Sequence, residues 1–339
     1  MRNKKLLRGL AAMTAALALA LTGCSGGGSG TGASADTEKK VLKLGHIAAE
    51  GTAYDNLAKD FKKRIEASSN GRIEVQIYPA GQLGVDRELM ESMQLGNVDM
   101  TVITASDINQ FVPEMAVQDL PYVFKDWDHV WAFLKSDTAK DLYSLTDSAN
   151  MKTLGFMPRG FRNVTNNTKP INTPEDLQGM KLRVAESEVY IDTFKALGAN
   201  AQAMAWGEVF TALQQGTVDG HENTVITIRD YKINEVQKYL SMTQHFFAFA
   251  ALQMSSKTFD SLSAEDQKLV VTAANEAVLA IGQDQQKNEA SVLEELKTKG
   301  MEINTIDNLQ PFADKVKPVI DNYGKTHDLK YFNAIQELK

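Results

Sequence analysis

The histidines and carboxylates of this sequence offer little for acid–base or metal chemistry. The five histidines are scattered along the chain and show no metal-ligand spacing. His221 stands next to Glu222, but adjacent residues of an extended segment point to opposite faces, so this pair is not expected to act together. The chain has neither a phosphate-cradling Gly-x4-Gly-Lys motif nor a His-Glu-x-x-His motif. These patterns disfavour an enzyme, and we expect no cofactor.

Arginine chemistry offers a different activity, the binding of an anion. In Lys181-Leu-Arg-Val184, Leu182 and Val184 share one face of a predicted strand, so Arg183 points to the other face with Lys181. A guanidinium group pairs with a carboxylate through two parallel hydrogen bonds and keeps its charge when it is desolvated. Spacing alone favours an arginine at the surface or in a salt bridge. A role in carboxylate binding therefore needs further support.

The elements that would position such residues alternate between strand and helix patterns, which predicts an α/β protein. Predicted strands at 41–47 and 73–77 are separated by a helical pattern, and a helix from Asp86 to Leu95 follows. The segments Met93-Gln-Leu-Gly-Asn-Val-Asp99 and Leu213-Gln-Gln-Gly-Thr-Val-Asp219 share a helix end followed by Gly, any residue, Val and Asp. This weak repeat indicates two lobes of similar build. A cleft between two lobes is a preferred place for a ligand.

The first 38 residues predict export and a lipid anchor. Residues 1–23 carry basic residues and then an apolar run that is too short to span a bilayer, as in a signal peptide. Leu21-Thr-Gly-Cys24 resembles the lipobox of bacterial lipoproteins, in which the cysteine is acylated, and residues 24–38 are predicted to form a flexible tether. Cys24 is the one cysteine of the chain, so its lipidation leaves no thiol for disulfide, redox or metal chemistry. The net charge of −7 disfavours nucleic-acid binding.

Several segments after the tether resemble the solute-binding proteins of TRAP (tripartite ATP-independent periplasmic) transporters. They are Pro79-Ala-Gly-Gln-Leu-Gly84, Asp119-Leu-Pro-Tyr-Val-Phe124, Pro174-Glu-Asp-Leu-Gln-Gly-Met-Lys-Leu-Arg-Val184, Leu197-Gly-Ala-Asn200, Gly216-Thr-Val-Asp-Gly-His-Glu-Asn223 and Glu235-Val-Gln-Lys-Tyr239. The similarity covers essentially the whole chain after the tether. It implies a two-lobed fold like that of periplasmic binding proteins, with a ligand cleft between the lobes and long elements shared by both.

The resemblance also implies roles for individual residues. It implies that Arg183 grips a ligand carboxylate and that Asn223 contacts the same carboxylate through its amide. Arg162, 21 positions before Arg183, matches a second arginine that helps to hold the acid in some members. A salt bridge between domains is the other interpretation of Arg162. Trp206 replaces a phenylalanine common at its position and is expected to stack on the apolar face of the ligand, unless it only packs in the core.

The first lobe is expected to supply polar groups that select the ligand. Asp86 could accept hydrogen bonds from sugar hydroxyls or serve as the N-cap of a helix. His46, at the end of the first strand, is a candidate for the cleft or for a buried histidine of the core. Ile47 and Thr104 stand where a sialic-acid binder of the family would have Asn and Glu, which argues against sialic acid.

These observations predict a monomeric, extracytoplasmic solute-binding protein, anchored to the membrane through Cys24, that delivers a small organic acid to the small and large TRAP permease subunits. A hexuronate such as glucuronate or galacturonate is the preferred ligand, because Trp206 and Asp86 suit a hydroxylated ring. A four-carbon dicarboxylate or a 2-oxo acid is the alternative ligand, and a lipid-anchored sugar-acid enzyme or a sensor protein is the alternative class. The lobes are assigned as discontinuous segments: lobe I comprises 39–159 and 249–289, and lobe II comprises 160–248 and 290–339.

Overall fold

The structure, a computed structural model, describes residues 39–338, so the predicted signal peptide, the lipidation site Cys24 and the whole predicted tether lie outside the described residues. The strands are β1 (Lys40–Gly45), β2 (Ile73–Tyr78), β3 (Met100–Thr104), β4 (Met151–Asn166), β5 (Lys181–Val184), β6 (Asn200–Ala203), β7 (Gly220–Thr224), β8 (Tyr239–Ser255) and β9 (Glu302–Thr305). The helices are α1 (Ala53–Ser68), α2 (Asp86–Gln94), α3 (Trp127–Lys135), α4 (Asp137–Ser144), α5 (Glu188–Ala196), α6 (Trp206–Gln214), α7 (Val225–Asp230), α8 (Ser256–Asp260), α9 (Ala264–Thr298), α10 (Gln310–Thr326) and α11 (Lys330–Gln336).

The strands of the described residues form one sheet in the order β2-β1-β3-β8-β4-β7-β5-β6, with β9 beside β8. The long strands β4 and β8 form an antiparallel pair at its centre. The second part of β8, residues 250–254, pairs with β3 in one half of the molecule. The second part of β4, residues 162–166, pairs with β7 in the other half. This arrangement is the predicted two-lobed α/β fold with long elements shared by both lobes.

Hydrophobic patterns explain how these elements pack. α1 buries Leu57, Phe61 and Ile65, which recur at helical spacing, in the cluster that also contains Leu42 and Leu44 of β1. β8 is buried along most of its length because strands flank it and other elements cover it, and it accordingly has a nearly continuous apolar run.

The 35-residue helix α9 is a second element shared by both halves. Its first part packs in the cluster around β1 and α1, whereas Val292 and Leu296 near its end pack with residues of α6 and α7. Gly282 allows a close approach to β4, because a Cβ atom there would lie 2.5 Å from two ring carbons of Pro158. Among the described residues, no helix combines the length and apolar character needed to cross a membrane.

The division of the chain between the lobes stays a prediction, and the C-terminal helix bears on it. His129 Nε2 lies 2.7 Å from the carbonyl oxygen of Ile335, and Gln336 Nε2 donates to the carbonyl oxygen of Val123 at 2.7 Å. α11 therefore packs against segments assigned to lobe I, although its own residues are assigned to lobe II.

Candidate functional site

A cavity of about 450 Å³ lies where the two halves of the sheet meet. Its lining includes Asp86 of α2 from one half, and Arg183 of β5, Trp206 of α6 and Asn223 of β7 from the other. Arg162 of β4 also faces it. The fold thus brings together five of the six residues that were predicted to contact a ligand.

Arg183 is positioned by the alternation of strand β5. Leu182 and Val184 are fully buried in an apolar cluster, and the arginine between them lines the cavity and is 4% exposed. Its Nε and Nη2 atoms donate to the carbonyl oxygen of Met204 at 3.0 and 2.6 Å, which orients the guanidinium group. Within the described chain it forms no salt bridge, and burial lowers its pKa to about 10, so the group remains charged at neutral pH. A desolvated cation without a counter-ion is prepared to receive an anion.

Asn223 and Trp206 lie beside the same cavity. The Oδ1 atom of Asn223 accepts the backbone N–H of Thr224 at 2.9 Å, and its amide nitrogen makes no hydrogen bond to any described residue. Trp206 is half-buried, and its ring centroid lies 5.5 Å from the guanidinium carbon of Arg183. The edge of Tyr231 packs against the indole with the ring centroids 4.8 Å apart. Trp206 therefore supports Arg183 and also presents an apolar surface to the cavity.

Arg162 is already neutralised by a protein carboxylate. Its Nε and Nη2 atoms donate to Glu222 Oε2 and Oε1 at 2.5 and 2.8 Å, and His245 Nε2 lies 3.1 Å from Glu222 Oε2. Burial alone would raise the pKa of Glu222, but the charge of Arg162 lowers it to about 2. The salt-bridge interpretation of Arg162 therefore holds. It joins neighbouring strands β4 and β7 instead of separate domains.

His46 does not line the cavity, so its predicted place in the cleft is wrong. It is fully buried, and its Nε2 atom lies 3.7 Å from Asp55 Oδ1. Burial lowers the pKa of His46. The next residue, Ile47, does line the cavity, and successive residues of an extended segment point in opposite directions. The alternative interpretation, a histidine buried in the core, is the correct one.

Arg159 is a cavity-lining arginine that sequence reasoning missed. The pairing of β4 with β8 skips from Pro158 to Gly160, which leaves Arg159 in a β-bulge, and Gly160 has a φ of 115°. Bulges redirect a side chain, and this one turns the arginine into the cavity. Its Nη1 and Nη2 atoms donate to Tyr54 Oη at 3.1 Å and Thr227 Oγ1 at 2.8 Å, both neutral groups. The sequence did contain a signal for this bulge, because a proline and a glycine flank Arg159 within the strand.

Asp86 has a carboxyl neighbour that the sequence did not reveal. Val85 is the N-cap of α2 and Asp86 is its first residue, so the N-cap interpretation of Asp86 is wrong. Its side chain lines the cavity together with that of Asp107, which lies on a short 3-10 helix, Ala105–Gln110. Burial raises the pKa of both carboxyl groups, and the charge of Asp107 raises that of Asp86 further. Two desolvated carboxyl groups at one cavity disfavour each other's ionisation.

The groups that line the cavity suit the binding of an organic anion. Among the described residues, no group of three or more His, Cys, Asp or Glu side chains is arranged to hold a metal ion. The side chains that line it supply an uncompensated cation at Arg183, a free amide at Asn223 and a hydrogen-bonding wall that includes Asp86 and Asp107. This set of groups matches an organic anion that also carries polar substituents.

Comparison with known proteins identifies the family. Residues 44–326 match the bacterial extracellular solute-binding proteins of family 7, called DctP. A solute-binding protein of Verminephrobacter eiseniae is 34% identical, over 86% of this chain and 87% of its own length. The chain belongs to this family. As a TRAP solute-binding protein, it is an extracytoplasmic binding protein and not an enzyme.

Solved structures agree with this membership. A TRAP solute-binding protein of Polaromonas sp. JS666, bound to D-erythronate, is 34% identical and gives a TM-score of 0.85 over 88% of this chain and 99% of its own. Another TRAP solute-binding protein, from Sulfitobacter sp. NAS-14.1 with bound β-D-galacturonate, is 30% identical and gives a TM-score of 0.84 over 88% of this chain and 99% of its own. Each of these two ligands combines one carboxylate with several hydroxyl groups. A small organic acid is therefore the class of ligand that the family takes.

Proposed function

We propose that this TRAP solute-binding protein captures a hexuronate, such as galacturonate or glucuronate, by closing its two lobes around the ligand. The observation that carries the proposal is the state of Arg183, which is charged, almost fully buried, oriented by Met204 and without a carboxylate partner among the described residues. A ligand carboxylate supplies the missing counter-ion. Asn223 adds an amide donor to the same cavity.

The rest of the cavity supports a sugar ring in preference to a simple aliphatic acid. Trp206 presents an aromatic face, and Asp86, Asp107 and Tyr54 present groups that exchange hydrogen bonds with hydroxyls. Lobe closure follows from the same placement, because Asp86 and Trp206 belong to opposite halves of the sheet. A ligand that contacts both halves stabilises the closed form relative to the open one.

The membrane subunits and the anchor complete the proposed role. The closed protein would deliver its ligand to the small and large TRAP permease subunits, and acylated Cys24 would hold it at the extracytoplasmic face of a membrane. The chain expressed with its own first 23 residues is expected to partition into the detergent phase in Triton X-114 extraction, and the Cys24→Ser variant into the aqueous phase. Equal partitioning of the two proteins would refute the anchor without affecting the ligand assignment.

A four-carbon dicarboxylate is the second candidate ligand. Arg159 is a second cavity-lining arginine that forms no salt bridge in the described chain, and a second ligand carboxylate would neutralise it. The two candidates therefore differ in what Arg159 contacts in the complex.

A thermal-shift screen separates the candidates, with uronates, aldonates, four-carbon dicarboxylates and 2-oxo acids tested side by side. A ligand that binds only the folded protein stabilises it by about 2.7 kcal/mol at a concentration of 100 Kd. We expect D-galacturonate or D-glucuronate to raise the Tm by several degrees, because the shift in Tm is approximately that free energy divided by the entropy of unfolding. A shift with dicarboxylates and none with sugar acids would contradict the hexuronate assignment.

A further inference from the structure

We propose that Asp86, Asp107 and Arg159 form an acid-pair subsite that binds ligand hydroxyl groups and discriminates against a second carboxylate. This inference rests on the proposed function, because it requires Arg183 to hold the single carboxylate of the ligand. It extends that function by naming the residues that choose between a hydroxylated monoacid and a diacid.

The three side chains converge from separate elements on the same cavity. Asp86 begins α2, Asp107 lies on the 3-10 helix after β3, and Arg159 occupies the bulge of β4. The Oδ1 atom of Asp86 is buried and has no hydrogen-bond donor among the described residues. Such an acceptor costs free energy unless a ligand donor satisfies it. Tyr54 and Thr227 hold the Arg159 guanidinium by its two terminal nitrogens.

Charge balance decides what this subsite accepts. In the proposed subsite, one proton is shared by Asp86 and Asp107. This leaves a single negative charge on the pair, and that charge compensates the positive charge of Arg159. The subsite is then neutral overall, whereas Arg183 remains uncompensated. A monoacid with a hydroxylated tail fits this distribution. A diacid would bring a second negative charge next to the charged pair. The repulsion would weaken its binding unless the complex took up an additional proton.

The hydrogen-bonding capacity of the subsite fits hydroxyl groups. A hydroxyl both donates and accepts, and the subsite offers carboxylate oxygens as acceptors beside the guanidinium as a donor. A second ligand carboxylate only accepts, so it would leave Asp86 Oδ1 without a donor.

Other charged and titratable groups face the pair from every element packed around it. They are Tyr54 on α1, Asp119 before α3, Arg159 and Arg162 on β4, Arg183 on β5, Glu186 after β5, and Tyr231 after α7. Arg162 is neutralised by Glu222, whereas Arg159 and Arg183, which also act on the pair, form no salt bridge with a described residue. Their attraction favours ionisation of the pair, whereas desolvation and the repulsion between the two carboxylates oppose it.

A matched pair of ligands tests the selectivity. D-galactonate and galactarate are six-carbon chains with the same internal hydroxyl groups, and they differ by a terminal CH2OH in one and a carboxylate in the other. We expect calorimetry at pH 7 to give at least tenfold tighter binding of D-galactonate to the wild-type protein. Equal affinities, or tighter binding of galactarate, would overturn the inference and would indicate that Arg159 receives a second carboxylate.

Amide variants of the pair test the residues. Asp86→Asn and Asp107→Asn are each expected to weaken D-galactonate binding about tenfold or more. Each should also reduce the preference for D-galactonate over galactarate, because each removes one carboxyl group of the pair and with it the negative charge or the shared proton. Asp141→Asn, an exposed carboxylate of α4 in the same half, is the matched control and should behave as the wild-type protein. Wild-type affinity and selectivity in both pair variants would contradict the proposed subsite.

A pH series on the wild-type protein tests the shared proton without any substitution. An anionic ligand favours the protonated pair, so affinity is expected to fall as the pH rises through the upper titration step of the pair, by at most about tenfold per pH unit. In the Asp107→Asn variant this decline should disappear. A flat wild-type profile from pH 5 to 9 would refute the shared proton.

If the wild-type protein binds no uronate or aldonate, the proposed function itself fails. If it binds them and the pair variants change nothing, only the subsite fails.

Discussion

Replacement of Arg183 by alanine is expected to weaken the binding of D-galacturonate by about 2–5 kcal/mol, because the ligand carboxylate would enter the cavity without its charged partner. This range corresponds to a factor of about 30 to several thousand in Kd. Isothermal titration calorimetry of the variant and the wild-type protein measures it directly. An affinity near the wild-type value in Arg183→Ala would contradict the assignment of this arginine as the carboxylate partner.

Two further substitutions separate the loss of charge from the loss of geometry. Arg183→Lys keeps the positive charge, but an ammonium group cannot make two parallel bonds to a carboxylate, so we expect it to restore little of the affinity. Arg183→Met removes a desolvated cation that has no counter-ion in the described chain. The unliganded variant is therefore expected to melt at the wild-type temperature or above it. A lower melting temperature would show that the Met204 contacts of Arg183 stabilise the fold.

Replacement of Glu222 by glutamine is expected to lower the free energy of unfolding by about 3–5 kcal/mol, because it leaves Arg162 buried and unpaired. Arg162 is 3% exposed and its guanidinium binds Glu222 through two side-chain hydrogen bonds. Urea denaturation of the unliganded proteins measures the change. Glu175→Gln is the control, since Glu175 pairs with Lys315 at 3.2 Å but its side chain is 71% exposed. Exposed pairs contribute about 0–1 kcal/mol.

The same salt bridge predicts a dependence of stability on pH. The folded-state pKa of Glu222 is about 2, well below its ordinary value of 4.5. A group with a depressed folded pKa contributes stability above the unfolded pKa, and that contribution is lost as the pH falls towards the folded value. The stability difference between wild type and Glu222→Gln should therefore narrow between pH 5 and pH 2. A constant difference over that interval would show that the carboxylate charge is not what stabilises the fold.

The orientation of Arg183 was predictable from the sequence because it depends on local strand alternation. Leu182 and Val184 had to be buried, so the arginine between them had to face the other side of β5. The family resemblance supplied the expected role of Arg183 on that face of β5, and the cavity lies on the same face. Local alternation also explains the error at His46, since the register of the segment after β1 decided that Ile47 and not His46 faces the cavity.

Arg159, Arg162 and Asp107 depended on contacts between distant parts of the chain. The pairing of Arg162 with Glu222 follows from the register of β4 against β7, and the exposure of Arg159 follows from a bulge in β4 against β8. Asp107 meets Asp86 only because β3 lies next to β1 in the sheet and places the following 3-10 helix beside α2. None of these registers is encoded in the spacing of residues within one segment. The charge state of the cavity was therefore outside the reach of the sequence.

The pairing of β3 with β8 has a consequence for how the molecule is made. Strand β3 can pair with β1 early, but its other edge has no partner until residues 250–254 have been synthesised, so the first half of the sheet cannot be completed during most of translation. Pairings between such remote segments slow folding, because the entropy of closing a long loop must be lost before the contacts form. Slow folding of this kind leaves the chain without its native sheet for longer after synthesis.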